Sequence, residues 1–567
     1  MMLGDKPSQG KFYRHFLLGL LLVSQINQNV VLAQKWCGKN YMELQPVVPP
    51  ADSNSETAIL IDAHVTSMEL QNSQPFIPPP SDENGRTDLS VTVSVDGQVL
   101  ASGSVPLEST RYELPLLLSK LQPRREAYIL ECRASLEGGQ TFNATGKLTY
   151  LPEPSTVQIA SASKMDLRTG AILAKGPNGE GEFQPIFPIG FYTQFDGYLT
   201  NLTVLSELKE QGFNVVHPIP PFSNLTALDA VLDEMERVGL YLMYDMRWTY
   251  MNDSRATEEV NRIKTRPNLL LWYTANEPDS ASDPLNATVR SYHLINSLDG
   301  GDSTGGSGYH PISLVLGCQD YEFSAYANGT DIVMQNVYNI GNNVTFSSEW
   351  DTECTPNFGA CGYWKRHPTG REFTVQTVLA INHGARGIIS WTDPTTPEIK
   401  ASATSLALSL PRIAPYILNP KSIFYRFPTN NSVDITTWTL DGSTLLLATN
   451  LGYGGANVHV DIAGFMAAVG NATQTNFPVE YYTRTDIPFT DGASFSWVAY
   501  DGNSRLLEAT IALEGTGSGG FIFHGDTSAI HGDTNTNNAD GPSPFTIVLK
   551  ALLSSILTLS ISLAAWR

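Results

Sequence analysis

Residues 213–246 read FNVVHPIPPFSNLTALDAVLDEMERVGLYLMYDM, and this stretch decides the predicted fold. It begins with a short apolar run at 213–219, which is typical of a buried strand. Apolar residues then recur at helical spacing over 225–238, and Gly239 follows at the place where many helices end. A second apolar run at 240–246 predicts the next strand. This order is typical of a parallel β/α unit.

The same rhythm continues on both sides of this stretch, at a spacing of about 25–30 residues. Further strands are predicted at 185–192, 269–273, 312–316, 331–337 and 385–391, and further helices at 202–211, 255–265, 373–383 and 404–418. Some 250 residues of such units match an eight-fold β/α barrel better than an open doubly wound sheet. No glycine-rich phosphate loop follows a predicted strand, which argues against dinucleotide binding.

Shorter alternating patterns flank this region. LSVTVSVDGQVL at 89–100 alternates around an Asp-Gly hairpin signal, and alternation returns between residues 422 and 523. We therefore predict an α/β protein with a TIM-type (β/α)8 barrel, complete or lacking strand seven. The predicted domains are an N-terminal β-sandwich at 34–157, the barrel at 158–418, and a C-terminal β domain, also expected to be a sandwich, at 419–525.

The composition describes a folded, acidic protein. Of the 567 residues 42% are hydrophobic and 16% are charged, which excludes wholesale disorder. The formal net charge of −21 argues against a nucleic-acid partner, because such proteins need a basic surface.

The two ends of the chain predict its route and location. Lys11 and Arg14 precede a short apolar run, and small residues end at Ala33, so residues 1–33 are predicted to be a secretory signal peptide. At the other end, a polar spacer (526–544) precedes an apolar tail (545–567). This predicts removal of the tail and attachment of a glycosylphosphatidylinositol lipid, with Asn537 or Asn538 as the attachment residue. An ordinary C-terminal membrane helix is the alternative. The expected location is the cell surface, at the plasma membrane or wall.

Sequons and cysteines suit a secreted chain. Nine Asn-x-Ser/Thr sequons begin at Asn143, Asn201, Asn224, Asn252, Asn286, Asn328, Asn343, Asn430 and Asn471. Among the five cysteines, Cys37 with Cys132 and Cys354 with Cys361 are expected to form bridges, which leaves Cys318 over. No cysteine or histidine spacing is typical of a metal site, so no metal or other cofactor is expected.

The predicted strands end in polar and aromatic residues, and a barrel builds its active site from these ends. The sharpest signal is Asn276-Glu277-Pro278, which directly follows a buried strand. A carboxyl group surrounded by aromatic rings at such a place has its pKa raised by burial, which suits a general acid.

This strand end resembles that of the large clan of retaining glycoside hydrolases built on the β/α barrel, and the resemblance covers residues 158–418. The chain also resembles secreted, GPI-anchored fungal proteins with a glycoside hydrolase catalytic core. The resemblance implies that Glu277 protonates the glycosidic oxygen, that Asn276 binds the 2-hydroxyl of the sugar, and that Trp391 forms the floor of the sugar site.

The second carboxylate is harder to place. The clan has its nucleophile at the end of strand seven, and the best match here is Glu349, at the end of the strand-like run VTFSSEW (344–350). Glu353 and Glu372 are poorer candidates. In related sequences more residues and an apolar strand separate the cysteine-rich stretch from the aromatic segment that follows it. Here Cys361 leads almost directly to Tyr363. Strand seven is therefore either truly lost from the protein or left out of this sequence by an incomplete gene model.

Aromatic and polar residues at the strand ends predict carbohydrate binding, because flat rings complement the CH faces of sugars. The candidates are Trp248, Trp272, Tyr338 and Trp391, joined by Asp245 and Gln335 as groups that bind hydroxyls. His217 and His383 are expected to be structural. The predicted function is therefore a cell-surface glycoside hydrolase acting on a wall or extracellular glycan. The alternative is a noncatalytic carbohydrate-binding or wall-structural protein on a degenerate barrel. The oligomeric state stays open.

Overall fold

A computed structural model of the chain describes thirteen segments, which form two compact units that divide between Leu151 and Pro152. The described residues are 40–47, 58–66, 74–77, 87–137, 139–154, 159–302, 307–317, 321–336, 367–429, 432–441, 443–461, 482–497 and 508–525. The predicted signal peptide, the polar spacer and the apolar tail all lie outside these residues. Among the helices within them, none is long and apolar enough to cross a membrane.

The N-terminal unit consists of two four-stranded antiparallel sheets and a short 3-10 turn at Leu118–Lys120. Its strands are β1 (Asn40–Val47), β2 (Ala58–Thr66), β3 (Gln74–Phe76), β4 (Asp88–Val95), β5 (Gln98–Pro106), β6 (Tyr112–Pro115), β7 (Tyr128–Leu136) and β8 (Thr141–Leu148). The strand orders are β3-β1-β2-β6 and β5-β4-β7-β8, and buried side chains of both sheets form one apolar cluster. The predicted hairpin is confirmed, with Asp96 and Gly97 at positive φ between β4 and β5.

Cys132 corrects one expectation. It lies in β7 as a buried, free thiol, and burial raises its pKa to about 12. The bridge to Cys37 is therefore not formed in the structure, and Cys37 itself lies outside the described residues. Alternation along β7 turns Cys132 into the apolar cluster, where it packs as a small apolar side chain.

The second unit is built on seven parallel strands in the order β17-β16-β15-β14-β13-β12-β18. These are β12 (Ile189–Gln194), β13 (Val215–Ile219), β14 (Tyr241–Asp245), β15 (Leu269–Asn276), β16 (Ile312–Leu316), β17 (Ile332–Gln335) and β18 (Ile388–Asp393). The first strand, β12, pairs with both the second strand and the last one, which is the connectivity of a barrel. The residues between β17 and β18 include 337–366, which lie outside the description, so strand seven and closure of the ring stay predictions.

Helices follow the strands. The five predicted helices are present, although the last one begins at Pro397, earlier than expected, and the helices at 278–281, 287–298 and 323–327 were not predicted. The helices are α1 (Thr203–Glu210), α2 (Leu225–Val238), α3 (Asp253–Ile263), α4 (Pro278–Ala281), α5 (Ala287–Leu298), α6 (Phe323–Ala327), α7 (Gly370–Asn382) and α8 (Pro397–Ile417), with an irregular turn at Phe195–Leu199. For α2 the local causes are visible, because the Asn224 side chain accepts the Ala227 N–H and Gly239 ends the helix at φ 79°.

Apolar side chains lie on both faces of the parallel sheet. One face packs against the helices, and the other forms a separate cluster with the short strands β9 (Ser163–Asp166), β10 (Ala171–Ala174) and β11 (Gln184–Ile186). Ile172 and Ala174 of β10 join that cluster beside Val215 and Tyr241, which begin β13 and β14. The antiparallel sheet β11-β10-β9 therefore covers the amino-terminal ends of the parallel strands.

The C-terminal region forms one antiparallel sheet within the same unit. Its strands are β19 (Ile423–Arg426), β20 (Val433–Leu440), β21 (Ser443–Asn450), β22 (Ala456–Asp461), β23 (Tyr482–Asp486), β24 (Asp491–Trp497) and β25 (Glu508–Gly525). The long strand β25 pairs with β21, β22, β23 and β24. The described strands thus join in one sheet, and the expected pair of stacked sheets is not confirmed. Arg371 and Asn382 of α7 bond to Asp491 and Asp434, which fastens the sheet to the barrel-like part.

Candidate active site

The carboxyl ends of the parallel strands bring together a set of polar and aromatic side chains. They are Tyr192 from β12, His217 from β13, Asp245 from β14, Tyr273 and Asn276 from β15, and Trp391 from β18. Arg247, Glu277 and Asn336 each follow one of these strands within two residues. Parallel strands end at one edge, so residues far apart in the chain meet there.

Asp245 is the centre of a buried ionic network. Its carboxylate accepts hydrogen bonds from His217 Nε2 and from Arg247 Nε, each at 2.7 Å, and from the Arg247 backbone N–H at 2.9 Å. Burial lowers the pKa of His217 by more than Asp245 raises it, so the imidazole is neutral near neutral pH. Burial also raises the pKa of Asp245, but His217 and Arg247 outweigh it and leave that carboxyl below its ordinary value.

Arg247 lies among three aromatic rings. Its guanidinium carbon is 5.4 Å from the ring centre of Tyr192 and 5.6 Å from those of Tyr273 and Trp391. The Tyr192 hydroxyl donates to that of Tyr273 at 3.1 Å, and the Tyr273 hydroxyl donates to Asn276 Oδ1 at 2.8 Å. Trp391 stays 42% exposed, whereas both tyrosines are buried. The site therefore presents one indole face to solvent over a hydrogen-bonded floor.

Glu277 stands directly after β15 in the left-handed region, at φ 53°. Its N–H donates to the Val315 carbonyl at 2.9 Å, and its carboxylate accepts a hydrogen bond from Asn336 Nδ2. A left-handed conformation is uncommon for a residue other than glycine, and such residues cluster at functional sites. The neighbouring strand β16 thus holds the backbone while the side chain reaches Asn336.

The carboxyl group of Glu277 has a raised pKa. Burial is the main cause, and Asp279 adds to it, whereas the hydrogen bond from Asn336 and the charge of Arg247 act in the opposite direction. The net direction is upward, so a larger fraction of this carboxyl is protonated at mildly acidic pH than of an ordinary glutamate. A proton held at a strand mouth is available to a bound substrate.

Gly317, directly after β16, makes room for this carboxyl. A Cβ at this position would lie 3.1 Å from Glu277 Cδ and 2.6 Å from Ser280 Oγ. The Gly317 N–H donates to Asp279 Oδ1 at 3.1 Å, which ties the same backbone to the short helix α4. A larger residue would therefore push Glu277 out of its place.

The structure places the predicted sugar-binding residues in different environments. Asn276 and Trp391 lie at the site, and Trp248 is 71% exposed in the loop after β14. The Asp245 side chain is fully buried and bonded to His217 and Arg247, so its expected contact with a sugar hydroxyl is not supported. Gln335 is exposed at the end of β17, and its neighbour Asn336 is the residue that contacts Glu277.

Trp272 was wrongly expected to bind sugar. It is fully buried among the helix-facing side chains, and its Nε1 donates to Asp299 at 3.2 Å. Tyr338 and Glu349 lie outside the described residues, so their predicted roles stay predictions. Sequence reasoning missed Asn336 and Arg247, because their contacts at the site involve residues from other strands: Asn336 bonds to Glu277, and Arg247 lies beside the rings of Tyr192 and Trp391. The sequence signal for each was its place within two residues of a strand end.

Three other carboxylates at or near these strand ends are already engaged. Asp245 binds His217 and Arg247, Asp279 accepts two backbone N–H groups, and Asp393 accepts from Tyr198 and Lys400. A retaining glycosidase needs a second carboxyl group, free to act as nucleophile, about 5–5.5 Å from its acid, which here is Glu277. The described segments contain no cluster of three side chains able to hold a metal ion.

Comparison with known proteins gave matches only to solved structures; no protein-family model and no curated protein matches the chain. A glycoside hydrolase family 30 subfamily 8 xylanase from Clostridium acetobutylicum is 13% identical, over 60% of this chain and 97% of that one, with a TM-score of 0.36. An α-amylase from Geobacillus thermoleovorans is 11% identical, over 60% and 98%, with a TM-score of 0.37. An α-galactosidase I from Mortierella vinacea is 10% identical, over 59% and 96%, also at 0.37. These are partial superpositions of glycoside hydrolases, so the chemistry of the site has to carry any functional conclusion.

Proposed function

We propose that this chain is a glycoside hydrolase in which Glu277 is the general acid. The observation that carries the proposal is the Glu277 carboxyl itself, which is partly buried at a strand mouth with a raised pKa and a hydrogen bond from Asn336. Departure of a sugar alkoxide needs a proton, and a positioned acid with a pKa near the working pH supplies it.

The surrounding groups support a carbohydrate substrate. The half-exposed indole of Trp391 offers a flat apolar face, and Arg247 lies against this ring while its charge also acts on Glu277. Asn276 lies next to Glu277, with its amide oxygen held by Tyr273, so its amide N–H groups are directed by that bond. A sugar ring stacked on Trp391 therefore has donors within the same site for its hydroxyls.

The remaining parts of the proposal rest on the sequence. We place the enzyme at the cell surface of a fungus, secreted by way of residues 1–33 and held by a lipid after removal of 545–567. Its substrate is then a wall or extracellular glycan. Glu349 is the proposed nucleophile because it ends the strand-like run 344–350, and because Asp245, Asp279 and Asp393 already have partners.

The test uses two leaving groups of different basicity. Glu277→Gln should lower the hydrolysis of oligosaccharides by a factor of about 10²–10⁴. It should lower the hydrolysis of dinitrophenyl glycosides far less, because that leaving group departs without a proton. Glu258→Gln, an exposed change on α3, is the matched control and should leave both rates unchanged. Equal loss on both substrates, or no loss, would contradict the role of Glu277.

A noncatalytic carbohydrate-binding protein is the second candidate. It is favoured by the engagement of Asp245, Asp279 and Asp393, so that none of these three carboxylates is free to act with Glu277. This candidate predicts that the full chain retains a glycan on an affinity column without releasing reducing ends. Trp391→Ala should abolish that retention.

A further inference from the structure

Four of the sequons share one place in the fold. Asn201 lies between β12 and α1, Asn224 between β13 and α2, Asn252 between β14 and α3, and Asn286 between β15 and α5. Each therefore follows the carboxyl end of a successive parallel strand, which is the end that carries Glu277. All four side chains are exposed. These four asparagines are called the rim asparagines below.

Helix capping explains only part of this pattern. Asn224 and Asn252 cap α2 and α3, because their Oδ1 atoms accept the backbone N–H groups of Ala227 and Arg255 at 3.1 and 3.2 Å. Asparagine is a favoured capping residue, but a cap places no demand on the second residue after it.

That second residue is Thr226 in one loop and Ser254 in the other, and both are exposed. Threonine and serine are weaker helix formers than the charged residues usual on exposed faces. Within the described part of the chain, neither hydroxyl has a hydrogen bond that would account for the residue. The hydroxyl at this position is what completes a sequon for glycan transfer.

We propose that the rim asparagines carry N-linked glycans, which form an arc along the β12–β15 side of the site. The inference relies on the proposed secretion of the chain. In each transfer the Asn Nδ2 attacks the anomeric carbon of a lipid-pyrophosphate-linked oligosaccharide. The N–C bond forms, the bond from carbon to pyrophosphate oxygen breaks, and one amide proton is released. The Oδ1 atom is untouched, so the caps of α2 and α3 persist.

The arc shields one side of the site. N-linked glycans are bulky and strongly hydrated, so they fill the space above the loops that follow β12, β13, β14 and β15. Asn328 precedes β17 at the opposite end of the strands, and the sequon at Asn343 lies outside the described residues. A polymeric ligand is therefore hindered from approaching Glu277 across the β12–β15 side.

Occupancy is the first experiment. The full chain, secreted from a glycosylating eukaryotic host, is digested, and each sequon peptide is analysed by mass spectrometry before and after enzymatic release of N-glycans. All four rim asparagines should be occupied. Thr226→Ala and Ser254→Ala should each remove one glycan without loss of stability, because the capping asparagines remain. An unoccupied rim asparagine in the wild-type chain would overturn the complete arc.

Access is measured without using catalysis, so failure of the proposed enzyme activity leaves this test intact. Gln194→Cys places a reporter thiol at the exposed end of β12, and Thr265→Cys places a control thiol in the exposed turn between α3 and β15. Both are labelled with N-ethylmaleimide and with a protein-sized maleimide polyethylene glycol, before and after glycan release. The unsubstituted chain gives the background of its own cysteines.

Glycan release should accelerate polymer labelling at Gln194→Cys by about threefold or more, because it removes the bulk beside the thiol. Labelling with N-ethylmaleimide, and all labelling at Thr265→Cys, should change little. Equal polymer rates with and without glycans at Gln194→Cys would overturn the shielding of the β12–β15 side. Asp196→Cys, exposed in the turn after β12, is the second reporter if the first variant fails to fold.

Discussion

Asp245→Asn is the most direct probe of the floor of the site. The substitution keeps the shape of the side chain and removes its charge, while the side chain of Arg247 stays only 7% exposed. Asp245 and His217 are both fully buried. Without the Asp245 charge, Arg247 has no ion-paired carboxylate within the described segments, and its side chain has little contact with water. Removing one partner of a buried ion pair costs about 3–5 kcal/mol, and we expect this loss in the free energy of unfolding.

Asp229→Asn is the matched control, because Asp229 also pairs with arginines, Arg262 at 2.5 Å and Arg266 at 3.1 Å, but its side chain is 43% exposed. Water and salt screen such a pair, so its removal should cost no more than about 1 kcal/mol. The assay is urea unfolding of the full chain, monitored by tryptophan fluorescence. The free energies of unfolding are compared between variants whose dependence on urea concentration has the same slope. Equal losses for the two variants would refute the reasoning, because they would mean that burial adds nothing to the Asp245 network.

Three further predictions concern Gly317 and Asn336 beside the acid, and Asp331 at the opposite end of the strands. Gly317→Ala should lower kcat by about tenfold or more, because the added Cβ meets the Glu277 carboxyl, while Gly454→Ala, which points into open space, should leave it unchanged. Asn336→Ala should raise the pKa of Glu277 further and move the alkaline limb of the pH–rate profile upward; an unmoved limb would contradict the hydrogen bond. Burial raises the pKa of Asp331 to about 6, so the folded state holds this proton longer than the unfolded state does. The free energy of unfolding should therefore fall as the pH rises from about 4 to about 6. Asp331→Asn should remove this pH dependence, measured as the urea midpoint at each pH.

Much of the fold was readable from local patterns. The helix at 225–238 matches its prediction because its capping residue, its apolar spacing and its terminal glycine all agree. The position of Glu277 at a strand end was also predicted, because a strand was expected at 269–273 just before Asn276-Glu277-Pro278, and β15 extends to Asn276.

The details that failed depend on register and on contacts between strands. β17 has only four described residues, so alternation alone does not decide whether Gln335 or Asn336 faces the site. Trp272 looked like a sugar platform, but its strand is buried on both faces, and the next residue, Tyr273, is the one that faces the site. The pairing of Asp245 with His217 joins two strand ends, and periodicity along one strand carries no information on it.

The measurement closest to the central claim is a titration of the Glu277 carboxyl in the full chain. Infrared difference spectra between the wild type and Glu277→Gln, recorded across pH, isolate the carboxylate band of this one residue. The account predicts a midpoint above the ordinary value of glutamate, about 4.3, because burial outweighs the hydrogen bond from Asn336. A midpoint at or below that value would show a carboxylate that is already ionised when a general acid is needed, and would contradict the account.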